Sequence, residues 1–149
     1  MQRLAHIAGL VVTLWSAGLC APVSYAGELF IVAHLPDREA MLDNSELLKI
    51  LRGKQRNWPS GYGARVALPS RDSEIYDQVS QVLFQSSGSV MQRNWFKLVF
   101  AGRANAPVYL DNDADMLQFV TSQPGTVGMV ISPSSIEQSD QIVIVKAVE

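Results

Sequence analysis

The stretch that most constrains this chain is Arg65 to Val82, RVALPSRDSEIYDQVSQV. Its first four residues are mostly apolar and read as a short buried strand. Pro69 to Asp72 reads as a tight polar loop, and the rest as an amphipathic helix reaching about Gln85, with Ile75, Val79, Val82 and Leu83 at helical spacing. A strand that feeds a helix through such a loop must lay the helix back against its sheet. The first free N–H groups of the helix then face a crevice at the strand end, where an anion can be held. Ser70 and Ser73 are positioned to cap the helix, or to donate hydroxyl groups to an anion. Arg71 is the nearby cation. These three residues are the candidate anion-binding set, against the simpler reading in which the serines only cap.

The remaining pattern alternates in the same way. Glu28–His34 (ELFIVAH) reads as a strand ended by Pro36. Asn44 or Ser45 is expected to cap a helix over Glu46–Arg52 that turns Leu47, Leu48, Ile50 and Leu51 inward, with Gly53 closing it. Asn57 to Gly61 (NWPSG) forces a turn, and Trp58 is expected to fold back over the core rather than offer a stacking face to a sugar. Ser86 to Ser89 breaks the second helix. Val90–Phe100 forms a third, and its aromatic density, Trp95, Phe96 and Phe100, reads as core. Gly102–Pro107 is a loop. The DNDAD run at Asp111, Asp113 and Asp115 reads as an acid-rich helix start, the helix extending to about Thr121; the Gly and distal Glu of a calcium loop are missing. A turn at Gln123–Gly125, a strand over Thr126–Ile131, a polar loop from Pro133 to Asp140 and a strand over Ile142–Val148 complete the chain. The order implies a layered α/β domain with a mainly parallel or mixed sheet flanked by helices.

The N-terminus reads as an address. Met1-Gln2-Arg3 is a short positive start, Leu4 to Leu19 is almost wholly apolar, and Ser24-Tyr25-Ala26 supplies small residues where a signal peptidase cuts. Residues 1–26 are expected to be a signal peptide cleaved after Ala26, giving a secreted, periplasmic chain of residues 27–149. The apolar run is near the lower length limit for a membrane anchor. Leu19 before Cys20 is unlike a lipobox, which wants a small residue there. Cys20 is the one cysteine in the chain, so cleavage would leave neither disulfide nor thiol chemistry.

Composition narrows the classes further. A length of 149 residues suits one domain, and a net charge of −2 argues against a nucleic-acid surface. Lys49, Arg52, Lys54 and Arg56 cluster, which a solvated helix C-terminus explains. His34 stands without a second histidine after cleavage, so it reads as structural and no metal site is expected. No catalytic constellation emerges and no cofactor motif is present, so a non-enzyme is expected.

In order, Leu48-x-x-Leu51-x-Gly53-Lys54, Trp58-x-x-Gly61, Asn94-Trp95-x-x-Leu98-Val99-Phe100-x-Gly102, Pro107 and Gln123-Pro124-Gly125-Thr126-Val127-Gly128 follow one another with characteristic gaps. This series resembles one lobe of the phosphate ABC-transporter substrate-binding proteins, the PstS-like family, from about Ser45 to Ile131. The resemblance implies a single periplasmic-binding-protein-like lobe and phosphate or another oxyanion as ligand. The family's phosphate loop in this lobe, an Arg followed by Ser-Gly-Thr, is altered: Pro69 stands at the Arg position, Ser73 matches the serine, and Glu74 and Ile75 replace Gly and Thr. Arg71 supplies a cation from a neighbouring position. Two readings follow: a small solute-binding-like protein with weak oxyanion affinity, or a non-transport module that has lost phosphate and docks on a membrane transporter or sensor.

Overall fold

The computed structural model describes residues 27–36, 43–133 and 141–147. The stretch expected to be a signal peptide, most of the expected polar loop after Pro133 and the end of the expected final strand lie outside them. Five strands form one mixed sheet: β1 (Phe30–His34), β2 (Arg65–Pro69), β3 (Val108–Leu110), β4 (Thr126–Val130) and β5 (Ile142–Lys146), in the order β3-β2-β4-β1-β5. Strand β2 runs parallel to both β3 and β4, with Pro69 opposite Leu110 and Arg65 opposite Thr126. Strand β1 is antiparallel to β4 and β5. The α/β domain read from the alternation of elements is therefore present, with the mixed form of the sheet.

Helices α1 (Asn44–Leu51), α2 (Tyr76–Phe84) and α3 (Gly88–Phe100) pack on one face with Ile31, Ala33, Val66, Leu68, Val127 and Met129 beneath them. Helix α4 (Asp113–Ser122) covers the other face, where Met116, Leu117 and Val120 meet Val32, Ala67 and Val130. The alternation of inward residues along β1 and β2, period two, feeds both layers at once. Gly128 lies under α4, where an added Cβ would sit 2.6 Å from the Met116 sulfur.

Several local expectations are corrected. Helix α1 is capped by Asp43, whose carbonyl accepts from the Glu46 N–H at 2.9 Å; Ser45 instead donates its hydroxyl to the Asp43 carboxylate at 2.8 Å. Leu47, Ile50 and Leu51 are buried, while Leu48 is half-buried. Gly53 closes α1 in the left-handed region, φ +71°, and the Lys54 N–H reaches back to the Lys49 carbonyl at 2.9 Å. Helix α2 begins only at Tyr76, without a side-chain cap. The Ser70 hydroxyl accepts from the Asp72 N–H (3.2 Å) and the Ser73 hydroxyl from the Ile75 N–H (3.4 Å). Two successive serine turns therefore lead into the helix, each hydroxyl accepting from the N–H two residues on. Val108–Leu110 is a strand that the sequence reading passed over, since three residues carry too little pattern to show a period.

Trp58 is buried and donates its indole N–H to the Gly125 carbonyl at 2.9 Å, the core placement expected of it. The aromatic run of α3 divides. Trp95 is buried with Gly88 and Met91, but Phe96 is half exposed and Phe100 is 87% exposed. Five residues turn a helix by about 140° past a full revolution, so Phe100 faces away from the side that buries Trp95. Trp95→Ala should therefore cost about 3–5 kcal/mol in chemical denaturation, the range for deleting a large buried aromatic. Phe100→Ala should stay within about 0.5 kcal/mol of wild type.

Candidate functional site

Because β2, β3 and β4 are parallel, their C-terminal ends share one edge of the sheet. The chain leaves β2 toward β3 on one side, and β4 is added on the other, which makes the end of β2 a topological switch point. Ligands of open α/β sheets bind at such points. Three loops meet there: residues 70–75 after β2, residues 111–112 after β3, and residues 131–133 after β4.

Ser70, Arg71 and Ser73 all stand in the first of these loops. Ser70 is tied to the neighbouring strand end by its N–H, which donates to the Leu110 carbonyl at 2.8 Å. Its hydroxyl donates to the Asp111 carboxylate. Since the same oxygen also accepts from the Asp72 N–H, Ser70 is engaged on both sides. The Ser73 N–H donates to the Ser70 carbonyl at 3.1 Å. Arg71 is exposed, and its Nε donates to the Gln92 side chain on α3 at 3.1 Å. Ile75, buried in the core, anchors the loop.

The acidic run supplies the rest of the edge. Asn112 caps α4: its side-chain oxygen accepts from the Asp115 N–H at 2.9 Å, and its amide donates to the Asp115 carboxylate at 2.9 Å. This is the acid-rich helix start read from the sequence. Asp113 does more, because one of its oxygens accepts from the N–H groups of both Ile131 (2.9 Å) and Ser132 (3.0 Å). A carboxylate of the chain thus occupies a pair of backbone donors of the kind that hold anions. Asp111 and Asp113 are the site residues that sequence reasoning missed. Only the parallel pairing of β2 with β3 and β4 brings their loops together. The available signal was a second strand–loop–helix unit, VYL-DN-DADM, hidden by the shortness of its strand.

His34, the expected structural histidine, is buried with Nδ1 3.2 Å from the Val120 carbonyl oxygen, joining β1 to α4. Among the described residues no group of three or more His, Cys, Asp or Glu side chains is placed to hold a metal ion, and no helix is long and apolar enough to cross a membrane.

No family model and no curated protein matches the chain. Solved structures do. An ABC-type phosphate transport receptor from Vibrio cholerae superposes with a TM-score of 0.55 at 15% identity, over 80% of this chain and 45% of that one. PstS from Borrelia burgdorferi gives 0.48 at 12% identity, over 70% of this chain and 40% of that one. A possible phosphate binding protein from Planctomyces limnophilus gives 0.47 at 17%, over 69% and 35%. The chain spans less than half the length of each. The fold is that of one lobe of a phosphate ABC-transporter substrate-binding protein, as the ordered motifs from Ser45 to Ile131 implied.

One titration reports on the packing under this edge. Tyr109, next to the β3 end, has its phenol pKa raised above 10.0 by burial and by the neighbouring Tyr76. The Tyr76 hydroxyl is itself buried without a partner. A phenol that stays protonated longer in the folded state than in the unfolded one contributes stability that is complete below about pH 10 and lost as pH rises through the folded pKa. Denaturation midpoints should therefore fall above pH 10, and Tyr109→Phe should flatten that fall.

Proposed function

We propose that this is a secreted, periplasmic, solute-binding-like protein that serves as an interaction module for a membrane transporter or sensor. It is not an enzyme in this reading, and its affinity for phosphate or another oxyanion at Ser70, Arg71 and Ser73 is weak. The observation that carries the proposal is the occupation of the strand-end donors by the chain's own acids: Ser70 by Asp111, and the Ile131 and Ser132 N–H groups by Asp113. An oxyanion arriving here must displace or sit beside these carboxylates, with exposed Asp72 and Glu74 close by in the loop. Like charges about 4 Å apart repel by about 1 kcal/mol each even in bulk water, and by more where water is partly excluded. Arg71 offsets part of this with a guanidinium that suits a bidentate oxyanion contact. The balance corresponds to a dissociation constant of about a millimolar or weaker, on the order of 4 kcal/mol.

Phosphate titration followed by amide NMR tests the oxyanion part. Shifts at residues 70–74 should saturate only in the millimolar range, vanish in Arg71→Ala and appear at lower phosphate in Asp111→Asn, where one repelling charge is gone. Micromolar saturation in wild type would overturn the reading in favour of a true receptor. No shift at tens of millimolar phosphate would leave the interaction module alone. For secretion, intact-mass measurement on a periplasmic extract should find a chain beginning at Gly27. Recovery of a chain retaining Met1 from the membrane pellet would contradict it.

A further inference from the structure

The opposite edge of the sheet, where β2, β3 and β4 begin, carries charge of the other sign. Helices α1, α2 and α3 all end there. Arg52 donates to the carbonyls of Leu83 (2.7 Å) and Val82 (3.3 Å) at the end of α2, and Arg56 donates to the Gly102 carbonyl (3.2 Å) just past α3. The cation cluster read as a helix-end feature does meet helix ends, though those of the neighbouring helices rather than its own. Lys54, Lys97 and Arg103 are surplus. None of the three has a side-chain hydrogen bond or ion pair among the described residues. With Arg52 they line a groove of about 520 Å³ that has no acidic side chain in its wall. Each helix C-terminus carries about half a negative charge, so three of them neutralise fewer than two of these five cations.

On α3 a stripe of Arg93 and Lys97 runs between this groove and two rings, Phe96 and Phe100. The rings are one helical turn apart, with centroids 6.3 Å from each other, and are 50% and 87% exposed. From Gly88 to Leu110 the chain contains no Asp or Glu. We propose that this face, Phe96 and Phe100 with Arg93, Lys97, Arg103 and Lys54, docks on an anionic lipid surface. Charge complementarity and shape select that occupant. A small soluble anion could pair with the groove but would leave both rings in water. A layer of headgroups meets the cations with its phosphates and takes the rings into its apolar boundary at the same time. Because Met91 and Trp95 on the opposite side of α3 fix the helix to the core, the stripe is presented as a rigid edge and needs no refolding to bind.

Co-sedimentation of the purified protein with vesicles tests this. Binding to phosphatidylcholine vesicles containing about one-third phosphatidylglycerol should exceed binding to pure phosphatidylcholine by at least about tenfold, and should fall steeply as salt is raised. Phe96→Ser with Phe100→Ser should weaken it about tenfold, and Lys97→Glu with Arg103→Glu should remove the preference for anionic lipid. Both pairs are surface changes, and a circular-dichroism melt checks that each variant is folded. Three results would each overturn the proposal: no preference for anionic vesicles, binding untouched by either pair, or binding to soluble polyglutamate without vesicle binding, which would mark an acidic protein as the partner. The phosphate titration reads residues 70–74 at the other edge, so failure here leaves that reading standing.

Discussion

Gly125 is the point on which the sheet is assembled. Its N–H donates to the His34 carbonyl at the end of β1 (2.7 Å), and its carbonyl accepts from both the Arg65 N–H at the start of β2 (2.9 Å) and the Trp58 indole (2.9 Å). One residue therefore joins β1 to β2 through the turn that opens β4, and pins the Trp58 loop over the core. The geometry requires φ +80°, and a Cβ there would meet the Tyr62 ring at 2.6 Å and the Gly63 carbonyl oxygen at 3.2 Å. No side chain fits without moving backbone, so the glycine is a condition of the architecture rather than a flexible spot in it.

From that node the molecule becomes electrically two-ended. Parallel strands send their C-terminal ends, and the starts of α2 and α4, to one edge; the helix ends of α1, α2 and α3 gather at the other. Helix dipoles attract acids to starts and cations to ends, and the chain supplies both in excess. At the strand ends the acids turn inward: Asp111 accepts from the Ser70 hydroxyl, and Asp113 from the Ile131 and Ser132 N–H groups. At the helix ends, two arginines serve carbonyls and the remaining cations face solvent beside two phenylalanines. A modest net charge of −2 conceals this separation.

The loop after β2 takes its course for a local reason. At the positions where the resemblance expects Gly and Thr, the chain has Glu74 and Ile75. Ile75 is buried and draws the loop down onto the core, while the serine hydroxyls fold back on their own backbone. The result is a well-anchored loop, tied also to α3 by the exposed Arg71 through Gln92.

Legible in the chain alone were the elements that announce themselves by period and punctuation: β1, β2 and β4 as apolar runs bounded by Pro or Gly, the inward stripe of α2, the acid-rich start of α4, and the burial of Trp58 and Trp95. It also carried the family resemblance, because the ordered glycines, prolines and tryptophans occupy positions where backbone geometry or core volume admits little else. Hidden from the chain alone was everything that depends on which loops become neighbours. Asp111 and Asp113 look like dipole-satisfying acids in the chain and become internal ligands only when β2 lies between β3 and β4. Arg52 and Arg56 look like caps for their own helix and reach others instead. Phe100 looks like core in any count of apolar residues, and the phase of one helix turned it outward. Local pattern is written in neighbours along the chain, whereas charge pairing and exposure are set by neighbours in space.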